Sequence, residues 1–140
     1  ASFIGSPPMN FIAGKLEENG GALEFHTRRF ALEIPEGKAA ALRSANMTGR
    51  RVVLGVRPEN ISNEPIVFEA YPKASFQGIH KSSELMGADR YLFVDAGTEN
   101  DLIVRVNPRY RYDDGESVAL AMDMNKVVFF DRDSEQRITD

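Results

Sequence analysis

The sequence contains 140 residues, and its 17 Lys and Arg against 21 Asp and Glu give a formal net charge of −4. That length suits one domain with an ordinary hydrophobic core, and 42% hydrophobic with 27% charged residues is typical of a soluble globular protein. The absence of cysteine excludes disulfides, thiolate metal sites and a cysteine nucleophile. The acidic balance argues against broad electrostatic binding to nucleic acid or anionic lipid.

The first elements predicted along the chain are a hairpin and a helix. Apolar and polar residues alternate over residues 23–26 and again over residues 30–34, a period that buries one face of a strand and leaves the other in water. Residues 27–29 between the two runs predict the hairpin loop. The Ala-rich residues 38–47 contain neither Gly nor Pro and predict a short helix that stops near Gly49.

Short strands account for the rest of the predicted structure. The β-branched run at residues 51–56 predicts a strand buried on both faces, which ends before Pro58 because proline cannot donate to a strand ladder. Gly87 is a turn signal between two of the strands, or it permits a bend or bulge within a strand. Residues 131–140 are expected to form a polar tail that frays. Many short strands with one short helix predict an all-β barrel or sandwich. Further strands are predicted at residues 66–70, 76–85, 91–96, 101–106, 117–122 and 127–130.

No recognisable catalytic apparatus is found in the sequence. It has no phosphate-binding P-loop, no G-x-G dinucleotide fingerprint, no H-E-x-x-H metal motif and no G-x-S-x-G elbow. The two histidines, His26 and His80, are far apart and are interpreted as exposed or hydrogen-bonded strand residues. Acidic pairs at residues 113–114 and at 131 and 133 are interpreted as turn residues. The sequence therefore predicts no catalytic, cofactor-binding or metal-binding residue.

One loop and one strand end leave binding functions open. In the loop, basic and aromatic side chains alternate. The next two residues in the chain are acidic and cancel the local positive charge. An OB-type barrel could stack bases on such a loop, but tyrosine rings that cover the edge of the core are the favoured interpretation. Donors at residues 81–83 could hold a small oxyanion, although a solvated strand end is favoured. The basic and aromatic residues of the loop are Arg105, Arg109, Tyr110, Arg111 and Tyr112.

Four passages resemble a single protein family. They are FIGSPPMNF at residues 3–11, VLGVRPENI at residues 53–61, LMGADRYLFV at residues 85–94, and the run from VFFD to RI at residues 128–138. In this order they are similar to the ATP-binding subunits of maltose-, polyol- and sn-glycerol-3-phosphate-type ABC importers. The chain resembles the C-terminal regulatory region of those subunits, the transport-associated OB (TOBE) part.

The resemblance implies an OB-fold-like β-barrel of TOBE type that occupies residues 1–140 as a single region. Residues 1–11 would connect it to a missing ATPase domain, and residues 131–140 would be its polar tail. The first residue is Ala1 rather than Met, as expected of a fragment. ATP and Mg²⁺ would bind in the ATPase domain, so the full-length subunit would hydrolyse ATP while this fragment would be non-catalytic and hold no cofactor.

A regulatory and dimerisation domain is the function that the resemblance favours. It would tether two ATPase domains during import of sugars or sn-glycerol-3-phosphate. Its partners would be its own ATPase domain, a second copy, the membrane subunits reached through the ATPase domain, and possible cytosolic regulatory proteins, but no nucleic acid. The location implied is cytoplasmic, peripheral on the inner face of the cell membrane. A small-oxyanion-sensing TOBE module and an OB-type nucleic-acid-binding module are the alternatives.

Candidate contact residues lie in the first two of the shared passages. Asn10 is expected to close a turn with its side chain. Glu59 could pair with Arg57 in a buried local ion pair, which is favoured, or with a basic group across an interface. The candidate domain or dimer contacts are Phe3, Met9, Asn10, Arg57 and Glu59.

Overall fold

The structure is a computed structural model that describes residues 7–139. Within this range ten strands form two five-stranded sheets, both antiparallel. The helices are α1 (Glu36–Ser44) and α2 (Pro65–Ala70), with short 3-10 turns at Pro58–Asn60 and Pro72–Ala74. The strands are β1 (Asn10–Asn19), β2 (Ala22–His26), β3 (Ala31–Glu33), β4 (Arg51–Val56), β5 (Ile61–Ser62), β6 (Ser75–Met86), β7 (Asp89–Asp95), β8 (Leu102–Val106), β9 (Ser117–Met122) and β10 (Val128–Asp131).

The first sheet has the strand order β10-β4-β1-β2-β3. It confirms the predicted hairpin, since β2 pairs with β3 and places Phe25 opposite Leu32. It also contains the ten-residue β1, which the sequence does not predict, so residues 10–11 belong to a strand and not to a connecting segment. The side chains of Phe25 and Phe129 meet in the core at 6.0 Å between ring centroids, which joins the hairpin to the last strand.

The second sheet has the order β5-β9-β6-β7-β8. Its edge strand β8 buries Leu102, Val104 and Val106 on one face, as the alternation at residues 101–106 predicts. The turn predicted at Gly87 is confirmed, since Gly87 lies in the tight turn between β6 and β7 with φ +60, and the alternative of a bend or bulge within a strand is wrong. The irregular register falls instead between residues 80 and 82, within β6.

Both helices depart from the sequence prediction. Helix α1 begins two residues before the predicted start and ends three residues before the predicted end, and it buries Ala39 and Leu42 against the first sheet. The strand predicted at residues 66–70 is wrong, because α2 occupies this segment with Pro65 in its first turn. None of the α2 residues is buried, and Ile66 is 74% exposed. No helix among residues 7–139 is long and apolar enough to cross a lipid bilayer.

The C-terminal segment packs against the barrel, which contradicts the expectation of a frayed tail. Asp131 is the last residue of β10, and the chain then turns back on itself. The Ile138 amide donates to the Phe129 carbonyl at 2.7 Å, and the Phe129 amide donates to the Thr139 hydroxyl at 3.0 Å. Thr139 is buried, so the segment satisfies one edge of β10 and shortens the sheet edge left open to solvent.

Candidate partner-binding surface

An exposed apolar surface lies on the outward side of β10, β4 and β1. The registers place Phe130 opposite Val53, and Val53 opposite Ala13, while Phe11 is two residues further along β1. Side chains alternate along a strand, so these residues share one face of the sheet. Phe11 is 57% exposed, and its ring meets the Phe130 ring edge to face with 6.0 Å between centroids. Together they line a hollow of about 390 Å³.

Gly55 allows Met9 to complete this surface. It lies opposite both Phe11 on β1 and Val128 on β10. A Cβ atom at position 55 would lie 2.7 Å from the Met9 sulfur and 3.1 Å from the Phe130 ring, so only glycine lets both side chains rest on the strand. Met9 is therefore the predicted contact residue that the structure brings to the surface. We call Met9, Phe11, Val53 and Phe130 the apolar face.

Polar residues border the apolar face. Asp131 and Glu135 line the same hollow as Phe11 and Phe130. At the other end of β4 the surface becomes basic, where Arg51 lies opposite Lys15 of β1. An apolar centre with a charged border is the composition of a protein-binding surface.

Asn10 joins the two sheets and closes no turn, contrary to the prediction. Its amide nitrogen donates to the Ile103 carbonyl at 2.9 Å, and its amide oxygen accepts from the Ile103 amide at 2.8 Å. The two residues are 93 positions apart and lie on β1 and β8, in different sheets. Because Asn10 is 94% buried and both bonds are internal, its side chain faces away from any partner.

The predicted ion pair between Arg57 and Glu59 does not form. Both side chains are exposed, and neither takes part in an ion pair or side-chain hydrogen bond within residues 7–139. The buried residue of this passage is Pro58, which begins a 3-10 turn after β4 ends at Val56. Neither charged residue lines the hollow of the apolar face. The remaining candidate, Phe3, lies outside the described residues.

The loop of basic and aromatic residues is anchored to the barrel, as the favoured interpretation predicts. Tyr110 and Tyr112 are half-buried against the core. The Tyr110 hydroxyl donates to the Glu64 carboxylate, and the Tyr112 hydroxyl accepts from the Asn63 amide at 2.8 Å. The Arg109 guanidinium lies 4.8 Å from the centroid of the Tyr110 ring and donates to its hydroxyl at 2.9 Å. The half-burial of both rings and the guanidinium over the Tyr110 ring reduce the ring surface that base stacking would require.

The possible oxyanion donors do not form a cleft. Lys81 and Ser82 are exposed on β6 beside its irregular register. The Ser83 hydroxyl accepts from Arg90 at 3.5 Å, within the same sheet. The solvated strand end is therefore the better description of these residues.

The histidines are hydrogen-bonded strand residues, as predicted. The Nε2 atom of His26 lies 2.8 Å from the Glu24 carboxylate, and its Nδ1 atom lies 3.3 Å from that of Glu17. His80 is buried, and its Nδ1 atom is 3.2 Å from the Asp113 carbonyl. Because a carbonyl only accepts, Nδ1 of His80 carries the proton. No group of three or more His, Asp or Glu side chains in the described part of the chain could hold a metal ion.

Sequence reasoning missed Val53 and Phe130 as surface residues. Residues 51–56 predict a strand buried on both faces, but the structure leaves Val53 half-exposed. The run from Val127 to Phe130 is apolar throughout, so its pattern does not tell which phenylalanine faces inward. The register with β4 decides this, since it buries Phe129 completely and turns Phe130 outward. Gly55 is the one indication of this surface in the sequence, because a glycine inside a strand often marks a place where another group approaches the strand closely.

Comparison with known families agrees with the fold. Residues 5–61 match the MalK OB fold domain, and residues 54–130 match the TOBE domain. The chain belongs to the TOBE domain family. This confirms the resemblance inferred from the four sequence passages, and the mostly β fold expected of a TOBE domain is the one observed, with two helices in place of one.

Relatives of this TOBE domain include two ATP-binding proteins whose names state sugar transport. It is 38% identical over 136 residues to the Oligosaccharides import ATP-binding protein MsmX of Bacillus subtilis (strain 168), an alignment that covers 97% of this chain and 36% of the relative. It is 32% identical to the Multiple sugar-binding transport ATP-binding protein MsmK of Streptococcus mutans serotype c, covering 99% of this chain and 36% of that protein. The chain thus spans about a third of the length of these curated relatives.

A solved structure shares the fold at low sequence identity. The cytoplasmic molybdate-binding protein ModG, crystallised with molybdate, aligns with a TM-score of 0.60 over 86% of this chain and 94% of its own. The two sequences are 14% identical, so the likeness concerns the arrangement of the strands alone.

Proposed function

We propose that this TOBE domain is the regulatory region of the ATP-binding subunit of a sugar importer, and that it holds two copies of the subunit together through its apolar face. The names of MsmX and MsmK support an oligosaccharide or related sugar as the transported substrate. Neither name supports sn-glycerol-3-phosphate. The role of the domain is non-catalytic, and the chemistry of ATP and Mg²⁺ belongs to the ATPase domain of the complete subunit.

The observation that carries the proposal is the exposed aromatic centre of the apolar face. Phe11 is 57% exposed and is clustered with Phe130 and Val53 around one hollow. Among residues 7–139, the other large apolar side chains that are exposed, Ile66, Tyr71 and Leu85, lie outside that cluster. Aromatic and methionine side chains are enriched at the centre of protein interfaces, where charged residues are depleted.

A second copy is the partner that best fits this surface. In a symmetric dimer the same patch meets itself, so one cluster of aromatic residues supplies both halves of the interface. Such a contact keeps two attached ATPase domains at a high effective concentration, so that they close again without a fresh encounter. The complete subunit would then reach its membrane subunits through the ATPase domains, at the inner face of the membrane.

Sedimentation equilibrium tests this dimer. We expect both this chain and the longer subunit to associate reversibly, and Phe11→Asp to weaken association by at least about tenfold because it places an unpaired charge in an apolar contact. Ile66→Asp is the matched control, since it puts the same charge at an exposed apolar site outside the face, and it should leave the association unchanged. A monomeric chain together with a monomeric subunit would refute the proposal.

A further inference from the structure

Four cationic side chains surround a second hollow, beside the apolar face. The hollow has a volume of about 420 Å³. Its cations come from four separate parts of the chain: β1, the β2–β3 loop, the start of β4, and the residue after β10. We propose that it binds a small phosphate-bearing anion. The four residues, here called the basic cluster, are Lys15, Arg28, Arg51 and Arg132.

The cations of the basic cluster lack acidic partners. None of them forms an ion pair or a side-chain hydrogen bond with another residue of the 7–139 range. The one carboxylate that lines the hollow, Glu17, lies 3.3 Å from Nδ1 of His26. By contrast, Arg43 and Lys73 elsewhere on the surface do have carboxylate partners. The distinguishing feature of the cluster is that four such cations line one hollow, on a chain whose formal net charge is −4.

Strand pairing forces two members of the basic cluster together. Lys15 and Arg51 are directly opposite each other on the antiparallel strands β1 and β4. Like charges directly opposite across two strands destabilise a sheet. An anion bound between them would replace this repulsion with two attractions, so binding should stabilise the folded domain.

The side chains around the hollow favour a ligand that carries phosphate. Arginine presents a planar fork of donors that matches phosphate oxygens two at a time, and three of the four cations are arginines. A nucleic acid would need a basic stripe along the surface, whereas the chain outside the cluster is strongly acidic.

The proposed site lies at the border of the dimer contact and shares no residue with the apolar face. Ala13 lines the basic hollow and is paired with Val53 of the apolar face, so the two surfaces adjoin. None of the four cations belongs to the apolar face. A chain that fails to bind the anion would therefore not contradict the proposed dimer, and a monomeric chain would not contradict the proposed anion site.

Titration calorimetry with inorganic pyrophosphate at low ionic strength tests the site. We expect saturable binding that weakens as salt is added, and a rise in Tm of the chain when pyrophosphate is present. Arg51→Gln should weaken binding by at least about tenfold and abolish that rise. It should not lower the Tm of the free chain, because it removes the repulsion with Lys15.

A matched variant and a second source of phosphate make the test decisive. Arg105→Gln removes an exposed cation from β8, outside the cluster, and should bind pyrophosphate as the unmodified chain does. Lack of saturable binding would overturn the proposal, as would an equal loss in both variants. Binding to phosphatidylglycerol vesicles without binding to pyrophosphate would also overturn it, because the cluster would then contact a membrane surface.

Discussion

At the scale of single residues, hydrogen bonds and glycines explain features of the fold that the sequence pattern does not predict. Strand β1 keeps the period of two through Ile12 and Leu16, but the inward position between them is Gly14. A Cβ atom there would lie 2.4 Å from the Phe25 ring, so the neighbouring ring fills the place of the missing side chain. Because the ring that fills this position belongs to β2, the sequence of β1 lacks the apolar residue that an alternating pattern requires at position 14. For this reason β1 is not predicted.

The bonds of Asn10 to Ile103 give a prediction at the same scale. Asn10→Ala leaves the partly buried amide and carbonyl of Ile103 without their side-chain partners, and should lower the free energy of unfolding by about 1–3 kcal/mol. The control is Asn19→Ala on the same strand, where the side chain is exposed, and it should be close to neutral. Urea denaturation followed by circular dichroism measures both. Equal stabilities for the two variants would show that Asn10 does not join the sheets.

At the scale of elements, the sequence predicts those strands whose pattern is local. The β2–β3 hairpin and the end of β4 before Pro58 follow from alternation and from proline chemistry alone. Helix α2 does not follow from the sequence pattern, because the first residues of the run 66–70 are β-branched and favour a strand. In the structure Pro65 begins a helix, and no neighbouring strand pairs with the segment. The C-terminal segment is polar in sequence, and its ordered path comes from hydrogen bonds to Phe129 and Asp131 of β10 and from the packing of Ile138 against the core.

The attachment of α1 to the β1–β2 hairpin gives a prediction about pH. The Arg43 Nε atom donates to the Glu18 carboxylate at 2.7 Å, and its Nη2 atom donates to the Gly21 carbonyl at 3.2 Å. The hydrogen bond from Arg43 lowers the pKa of Glu18 from its ordinary value of 4.5. Because the pKa of Glu18 is lower in the folded state, its carboxylate stabilises the fold at pH values above its ordinary pKa. This contribution is lost as the pH falls through the lowered pKa.

Arg43→Gln should therefore lower Tm slightly at neutral pH, and the difference from the unmodified chain should shrink as the pH falls below 4.5. The effect is small because both side chains are partly exposed. Arg50→Gln, at an exposed position without an ion pair in the described range, is the control. Differential scanning calorimetry across pH checks the trend, and a Tm difference that grows toward acid would contradict it.

At the scale of the whole molecule, the outward side of the first sheet carries two adjoining surfaces. The apolar face is centred on Phe11 and Phe130, and the basic cluster begins where β4 starts. The family and the barrel could be predicted from sequence passages, but these surfaces could not, because they depend on which strand faces meet across β10, β4 and β1. Strand register therefore determines the candidate site more than residue type does.

Site-specific cross-linking tests the dimer most directly, since the chain has no native cysteine. Val53→Cys introduces a thiol at the middle of the apolar face, and Ile66→Cys introduces one on α2 outside it. With a short thiol-specific cross-linker, we expect the Val53→Cys chain to be captured as a covalent dimer at concentrations where the Ile66→Cys chain remains monomeric. Equal capture of both variants, or none of Val53→Cys in a sample that sediments as a dimer, would contradict the account.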